Sequence, residues 1–262
     1  MTALADSSRQ SIRDERFFLL LALIMAAVLV AGFVLQLAMG RSSFGAPPIV
    51  HLHAVVFFGW VVIFVLQSAL AGSGSMRLHR RLGWLATGWS VAMVAVGIAL
   101  MLHVVRAGTV PFFFQPQYFL VANVLTLLGF AAATWAAVAM RRRSDWHRRL
   151  HFIGMAFLIG PAFGRLLPMP LLVPWSYQIA FGFGLVFLLV GLTGDVRRTG
   201  RGHRAWTVGV AAMGATIVAA QVIGLGPVGT AIYRSVTVGS PGAAVAPLAF
   251  AQPPSDGQVT GR

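Results

Sequence analysis

The sequence has no cysteine, no lysine and only six acidic residues in 262 positions. Without cysteine, disulfides, thiolate-bound metals, iron–sulfur clusters and thiol nucleophiles are excluded. The acids are Asp6, Asp14, Glu15, Asp145, Asp195 and Asp256, so no long apolar run carries a carboxylate at its centre. Proton- and sodium-coupled transporters usually need one there, and carboxylate acid–base catalysis needs a pair, so both classes lose weight. The sequence also contains no G-x-x-x-x-G-K loop, no dinucleotide fingerprint and no serine–histidine–acid constellation.

What is abundant is apolar. Hydrophobic residues make up 58% of the chain and charged residues 10%, against about 25% charged in soluble domains. The mean hydropathy is +0.81. Seven stretches are long enough to cross about 30 Å of hydrocarbon as helix: Phe17–Met39, Ile49–Gly72, Leu82–Val105, Tyr118–Met140, Leu150–Leu167, Leu171–Gly194 and Trp206–Val228. The fifth is interrupted by Pro161 and Arg165, which a kinked helix with a snorkelling arginine accommodates. The first is too long for a signal-peptide core and reads as an uncleaved anchor. Backbone hydrogen bonds must close within each crossing, so the expected fold is an all-α, seven-helix transmembrane bundle.

All 20 basic residues are arginine, the usage of a GC-rich bacterial genome. A net charge of +14 raises the possibility of nucleic acid, but the arginines sit at the ends of apolar runs, which points to a membrane surface instead. Arg9, Arg13, Arg16, Arg77, Arg80, Arg81, Arg141, Arg142, Arg143, Arg148, Arg149, Arg197, Arg198, Arg201 and Arg204 fall on one side of the expected bundle. Arg41, Arg106, Arg165, Arg234 and Arg262 fall on the other. By the positive-inside rule, residues 1–16 are a cytoplasmic segment, 17–228 the transmembrane domain, and the C-terminus lies outside. The Ala-, Gly-, Pro- and Ser-rich residues 229–262 are expected to be a disordered extracytoplasmic tail. The implied location is a bacterial inner membrane, with the lipid bilayer as partner and no nucleic acid.

Small residues should let helices approach: Gly160 and Gly164, and Gly182, Gly184 and Gly191. Tryptophans at span ends read as interfacial anchors. Ser144 or Asp145 is expected to cap the fifth span. Asp195 follows the C-terminal end of the sixth span, where the helix dipole disfavours an anion, so it should pair with Arg197, Arg198 or His203.

The histidines carry the functional hint. "LHRRLGW" (residues 78–84) returns as "WHRRLHF" (residues 146–152), each ahead of an apolar run. His79, His147, His151 and His203 belong to the arginine-rich side, while His51, His53 and His103 belong to the other. His147 and His151 are four apart and share a helix face. Neutral imidazole ligates iron, copper and zinc. His79 on the third span and His147 or His151 on the fifth are therefore candidate ligands of a b-type haem. Arg80, Arg81 and Arg148 would clamp its anionic propionates, and His53 and His103 would form an outer site. The alternative metal reading is a membrane hydrolase or transferase working at the cytoplasmic surface through a zinc or copper site of His79, His147, His151, His203 and Asp195. Against both stands a plainer account, in which His-Arg-Arg anchors the chain at lipid phosphates, or the repeat records an ancestral hairpin duplication.

As a set, "HLHAVVFFGWVVIFVLQSALAGSG", "LHRRLGW", "DWHRRLHFIGM", "FGR" and "GDVRRTGRGHRAW" resemble a group of uncharacterised bacterial polytopic membrane proteins, over Ile49 to Val210. More distantly, histidines at span ends are similar to the diheme transmembrane b-type cytochromes and to haem A synthase and oxidase-assembly proteins. That resemblance implies ligand pairing between alternate helices, electron transfer or respiratory-complex assembly, and a quinone or respiratory-complex partner. His79 with His147 or His151 matches the cytoplasmic pair; the outer pair departs, because span four offers no histidine to face His53.

Overall fold

The structure is a computed structural model and describes residues 2–42 and 44–253, with side chains from residue 13 onward. Nine α-helices and two short 3-10 turns, and no strand, occur among the described residues. The helices are α1 (Thr2–Ala38), α2 (Pro48–Gly72), α3 (Met76–Ala107), α4 (Pro116–Ala139), α5 (Ser144–Phe157), α6 (Gly160–Leu166), α7 (Ser176–Thr199), α8 (Arg204–Gly224) and α9 (Pro227–Thr237). Among the described residues, six helices are individually long and apolar enough to cross a membrane: Arg13–Ala38 of α1, then α2, α3, α4, α7 and α8. Leu20, Val34, Val55, Val62, Val218 and Val222 are exposed on them, as a helix surface that meets lipid tails requires.

The fifth expected span differs. It is two helices, α5 and α6, separated at Leu158 and Ile159, and neither is long enough alone. Pro161 supplies the reason: it has no N–H to donate, and its ring clashes with the carbonyl four residues back. The loosened turn closes instead through short-range bonds, Leu158 N–H to the Met155 carbonyl at 3.0 Å and Ile159 N–H to that of Ala156 at 3.4 Å. At the break Ile159 is nonetheless buried and Leu158 half-buried, because α5 packs against α4, α7 and α8, and α6 against α1 and α7.

Glycines explain part of that packing. A Cβ on Gly184 would strike the Ala156 carbonyl and Met213, and one on Gly191 would enter the Trp206 ring. Gly164 and Gly182 instead face open space, so close approach does not account for them. Trp206 is not an interfacial anchor, since it is wholly buried. The expected cap of α5 is absent: Arg143 occupies the cap position, no side chain bonds there, and Asp145 lies in the first turn.

The expected disordered tail is not what residues 229–253 show. After Gly226 the chain forms α9 and a 3-10 turn at Pro241–Ala244, packed across the ends of α3, α4 and α8. Buried Tyr233 donates to the Gly242 carbonyl at 3.0 Å, and the Gln117 N–H to the Pro247 carbonyl at 2.9 Å. Residues 254–262 lie outside the described residues.

Candidate functional site

His79 stands in the first turn of α3 and His147 in the first turn of α5, with His151 one turn further on. The His147 and His151 ring centroids are 4.7 Å apart, at 89°. His79 arrives from α3 with its centroid 6.1 Å from that of His147, at 82°. The third and fifth apolar runs therefore do bring their imidazoles together.

Hydrogen bonding decides the form of two of these rings. His79 Nδ1 lies 3.3 Å from the Gln67 carbonyl and His147 Nδ1 2.8 Å from the Ala137 carbonyl. A carbonyl only accepts, so Nδ1 carries the proton in each bond, and in a neutral ring the lone pair is left on Nε2. Metal-binding histidines are held in this way, one nitrogen donating to a carbonyl and the other on the metal. Gln67 braces the site further by donating Nε2 to the His79 carbonyl at 3.1 Å. Its own Oε1 is buried and has no hydrogen-bond partner, as is Thr134 Oγ1 on α4. Gln67 was missed by sequence reasoning; the available signal was an amide inside an apolar run.

The other expected ligands are engaged elsewhere. Asp195 is fully buried. Its Oδ2 accepts from Arg149 Nε at 2.6 Å and Trp206 Nε1 at 2.8 Å, and its Oδ1 from Arg198 at 2.8 Å. Of the expected partners only Arg198 is present; Arg149 and Trp206 are additions. His203 uses both ring nitrogens. Nδ1 accepts the Ala205 N–H at 3.1 Å, so Nε2 carries the proton and donates to Asp145 Oδ2 at 3.0 Å. It caps α8 and ties it to α5, with no lone pair left for a metal. Among the described residues no group of three or more His, Asp or Glu side chains is disposed to hold a metal ion.

The expected propionate clamps also separate. Arg80 and Arg81 are exposed and, with Arg77 and Trp84, line a surface groove of about 510 Å³. Arg148 turns away to α1. Its guanidinium lies 4.3 Å from the Phe18 ring centroid, in the field of Asp14, Glu15 and Asp195. Arg198 makes a neighbouring contact, bonded to Asp14 at 2.7 Å and seated 3.6 Å from the Phe17 ring centroid. These links fasten α1 to α5 and α7.

The outer histidines are not brought together. His103 is exposed on α3. His53 stacks on Phe57 with centroids 4.0 Å apart and lines a cavity of about 780 Å³ in the opposite half of the bundle, bordered by α1, α2, α3, α4, α5, α6 and α7. His103 is not among that cavity's lining residues. No family model, curated protein or solved structure matches the chain.

Proposed function

We propose that this protein is a seven-crossing protein of a bacterial inner membrane in which His79 and His147 hold a b-type haem near the cytoplasmic face. The observation that carries this reading is the 6.1 Å approach of the two rings, with Nδ1 of each on a backbone carbonyl. Two imidazoles this close, each with its proton on Nδ1, would offer their Nε2 lone pairs to hold an iron. Further support comes from the orphaned Gln67 Oε1 beside the pair.

Bound there, a haem supplies one-electron chemistry. The chain's own contribution is to fix two imidazoles in one tautomer on separate helices, with Arg80, whose charge acts on His79, as the nearest candidate partner for a propionate. The role that follows is electron transfer or respiratory-complex assembly, with a quinone or a respiratory complex as partner. The orientation rests on the arginine imbalance: the histidine end carries most of the arginines, which assigns it to the cytoplasm. With α5 and α6 counted as one broken crossing, the N-terminus is cytoplasmic and the chain after α8 is outside.

A second reading has its own observation. The His147 and His151 ring centroids lie 4.7 Å apart, so this pair, without His79, would serve a copper or zinc ion. Haem and elemental analysis of protein purified from haem- and metal-replete cells separates the two. Haem near one equivalent, reduced by His79→Ala and by His147→Ala but not by His151→Ala, supports the first. Stoichiometric copper or zinc that falls in His147→Ala and in His151→Ala supports the second. Neither group in the wild-type protein contradicts both.

A further inference from the structure

The cavity of about 780 Å³ in the opposite half of the bundle has no part in the histidine site. Its walls are mostly aromatic and aliphatic, and they run from Arg41, Thr109 and Pro168 at the bundle end to Trp60, Leu127 and Met155 near mid-bundle. The broken crossing forms one side, through Phe157, Leu158, Pro161 and Arg165. Irregular backbone at membrane depth is tolerated where it lines a cavity, and broken helices in membrane proteins recur at binding sites.

Arg165 gives the cavity its chemistry. One guanidinium nitrogen donates to the Pro161 carbonyl at 3.0 Å, and its charge lies 4.1 Å from the Phe33 ring centroid. Among the described residues it takes part in no ion pair and no Asp or Glu lines the cavity. Arg41 and His53 share the lining. Gln36, nearly buried, donates to the Arg165 carbonyl at 2.7 Å and fixes that end of α6 against α1. A cation at an apolar site without a carboxylate is costly unless an anion reaches it. The volume suits one chain with its head, in the range of about 300–1,000 Å³ typical of small-molecule sites. Deeper in, Trp60 Nε1 is buried without an acceptor.

We propose that this cavity binds a single-chain lipid acid, its anionic head on Arg165 and its chain along the aromatic wall toward Trp60. A neutral amphiphile of the same length fills the apolar part and leaves the guanidinium unpaired, so the site discriminates by charge. A carboxylate and a phosphate monoester share the required chemistry.

The test titrates the full-length protein, in neutral detergent, with a fluorescent polyene fatty acid and with its methyl ester. The acid should bind saturably and about tenfold or more tighter than the ester, the worth of a charge-assisted hydrogen bond. Arg165→Gln should bring the acid down to the level of the ester and leave the ester unchanged. Gly164→Leu should weaken both, because an added Cβ at this lining position meets open space. Arg165→Lys should keep the preference for the acid, which preserves the test if the glutamine variant does not fold. Equal binding of acid and ester to the wild-type protein, or a preference that survives Arg165→Gln, overturns the proposal. Competition by palmitate and by hexadecyl phosphate ranks the two heads; displacement by either supports the site, and by neither overturns it.

Discussion

Arg149 Nε and Asp195 Oδ2 meet at 2.6 Å with side-chain exposures of 7% and 1%, an ion pair inside the bundle that joins α5 to α7. The same carboxylate accepts from Trp206 of α8 and from Arg198. One acid thus ties together three helices and, through Arg198 and Asp14, a fourth. Its position near the C-terminal end of α7, unfavourable to an anion by helix dipole alone, is offset by these three donors.

Asp195→Asn keeps the shape and removes the charge, leaving buried Arg149 uncompensated and Arg198 with Asp14 alone. The expected loss is about 3–5 kcal/mol, the usual cost of removing one partner of a buried pair. Thermal unfolding in detergent reads it, and an unchanged midpoint would contradict the role assigned to Asp195.

Two glycines of α7 should respond oppositely to alanine. A Cβ at Gly191 enters the Trp206 ring, whereas one at Gly182 meets nothing within 4 Å. Gly191→Ala should destabilise by about 1–3 kcal/mol through overpacking. Gly182→Ala should stabilise by about 0.4–1 kcal/mol, because it restricts the unfolded chain at a helical position. Equal shifts in melting temperature would show that Trp206 does not seat against Gly191 as described.

Much of this arrangement was legible in the sequence, for reasons that separate local from long-range information. Six long apolar helices follow from run length alone. Pro161 signalled trouble in the fifth run, but a kink and a complete break share that signal; the break persists because it packs among neighbouring helices and beside a cavity. The convergence of His79 and His147 was readable from alternate-span logic, since helices entering from one side present their first turns at similar depth. Arg148 and Arg149 are adjacent letters with different destinations, Phe18 and Asp195, which depends on the rotation of α5 and has no local signature. The tail misled because Ala, Gly, Pro and Ser read as disorder, while its order comes from distant partners such as Gln117, whose Oε1 accepts from Thr230.

The His203–Asp145 bond should make a small, pH-dependent contribution. Partial burial pushes the Asp145 carboxyl up, but the hydrogen bonds from His203 and from backbone N–H groups outweigh it and hold the carboxyl below its ordinary value of 3.8. A depressed carboxyl stabilises the fold above the unfolded pKa, and that contribution fades as pH falls through the folded one. Asp145 is half exposed, so solvent screening keeps the effect modest. Asp145→Asn should therefore lower the melting temperature slightly at pH 7 and match the wild type once the pH falls below the folded-state pKa of Asp145. A difference that persists unchanged into acid would contradict this assignment.

The absence of cysteine makes the orientation directly testable. Ser75 precedes α3 at the arginine-rich end and Ser235 lies on α9 at the other, both exposed. In intact spheroplasts a membrane-impermeant maleimide should label Ser235→Cys and spare Ser75→Cys until the membrane is opened. The reverse pattern would invert the topology, and labelling of both or neither would remove the odd number of crossings.

The central claim is that His79 and His147 share one redox iron. It is tested most directly by the reduced-minus-oxidised absorption spectrum of protein purified from haem-replete cells. The account predicts a Soret shift and a b-type α band in the wild-type protein and in His53→Ala, both lost in His79→Ala and in His147→Ala. A colourless wild-type protein, or a spectrum indifferent to His79, would contradict it.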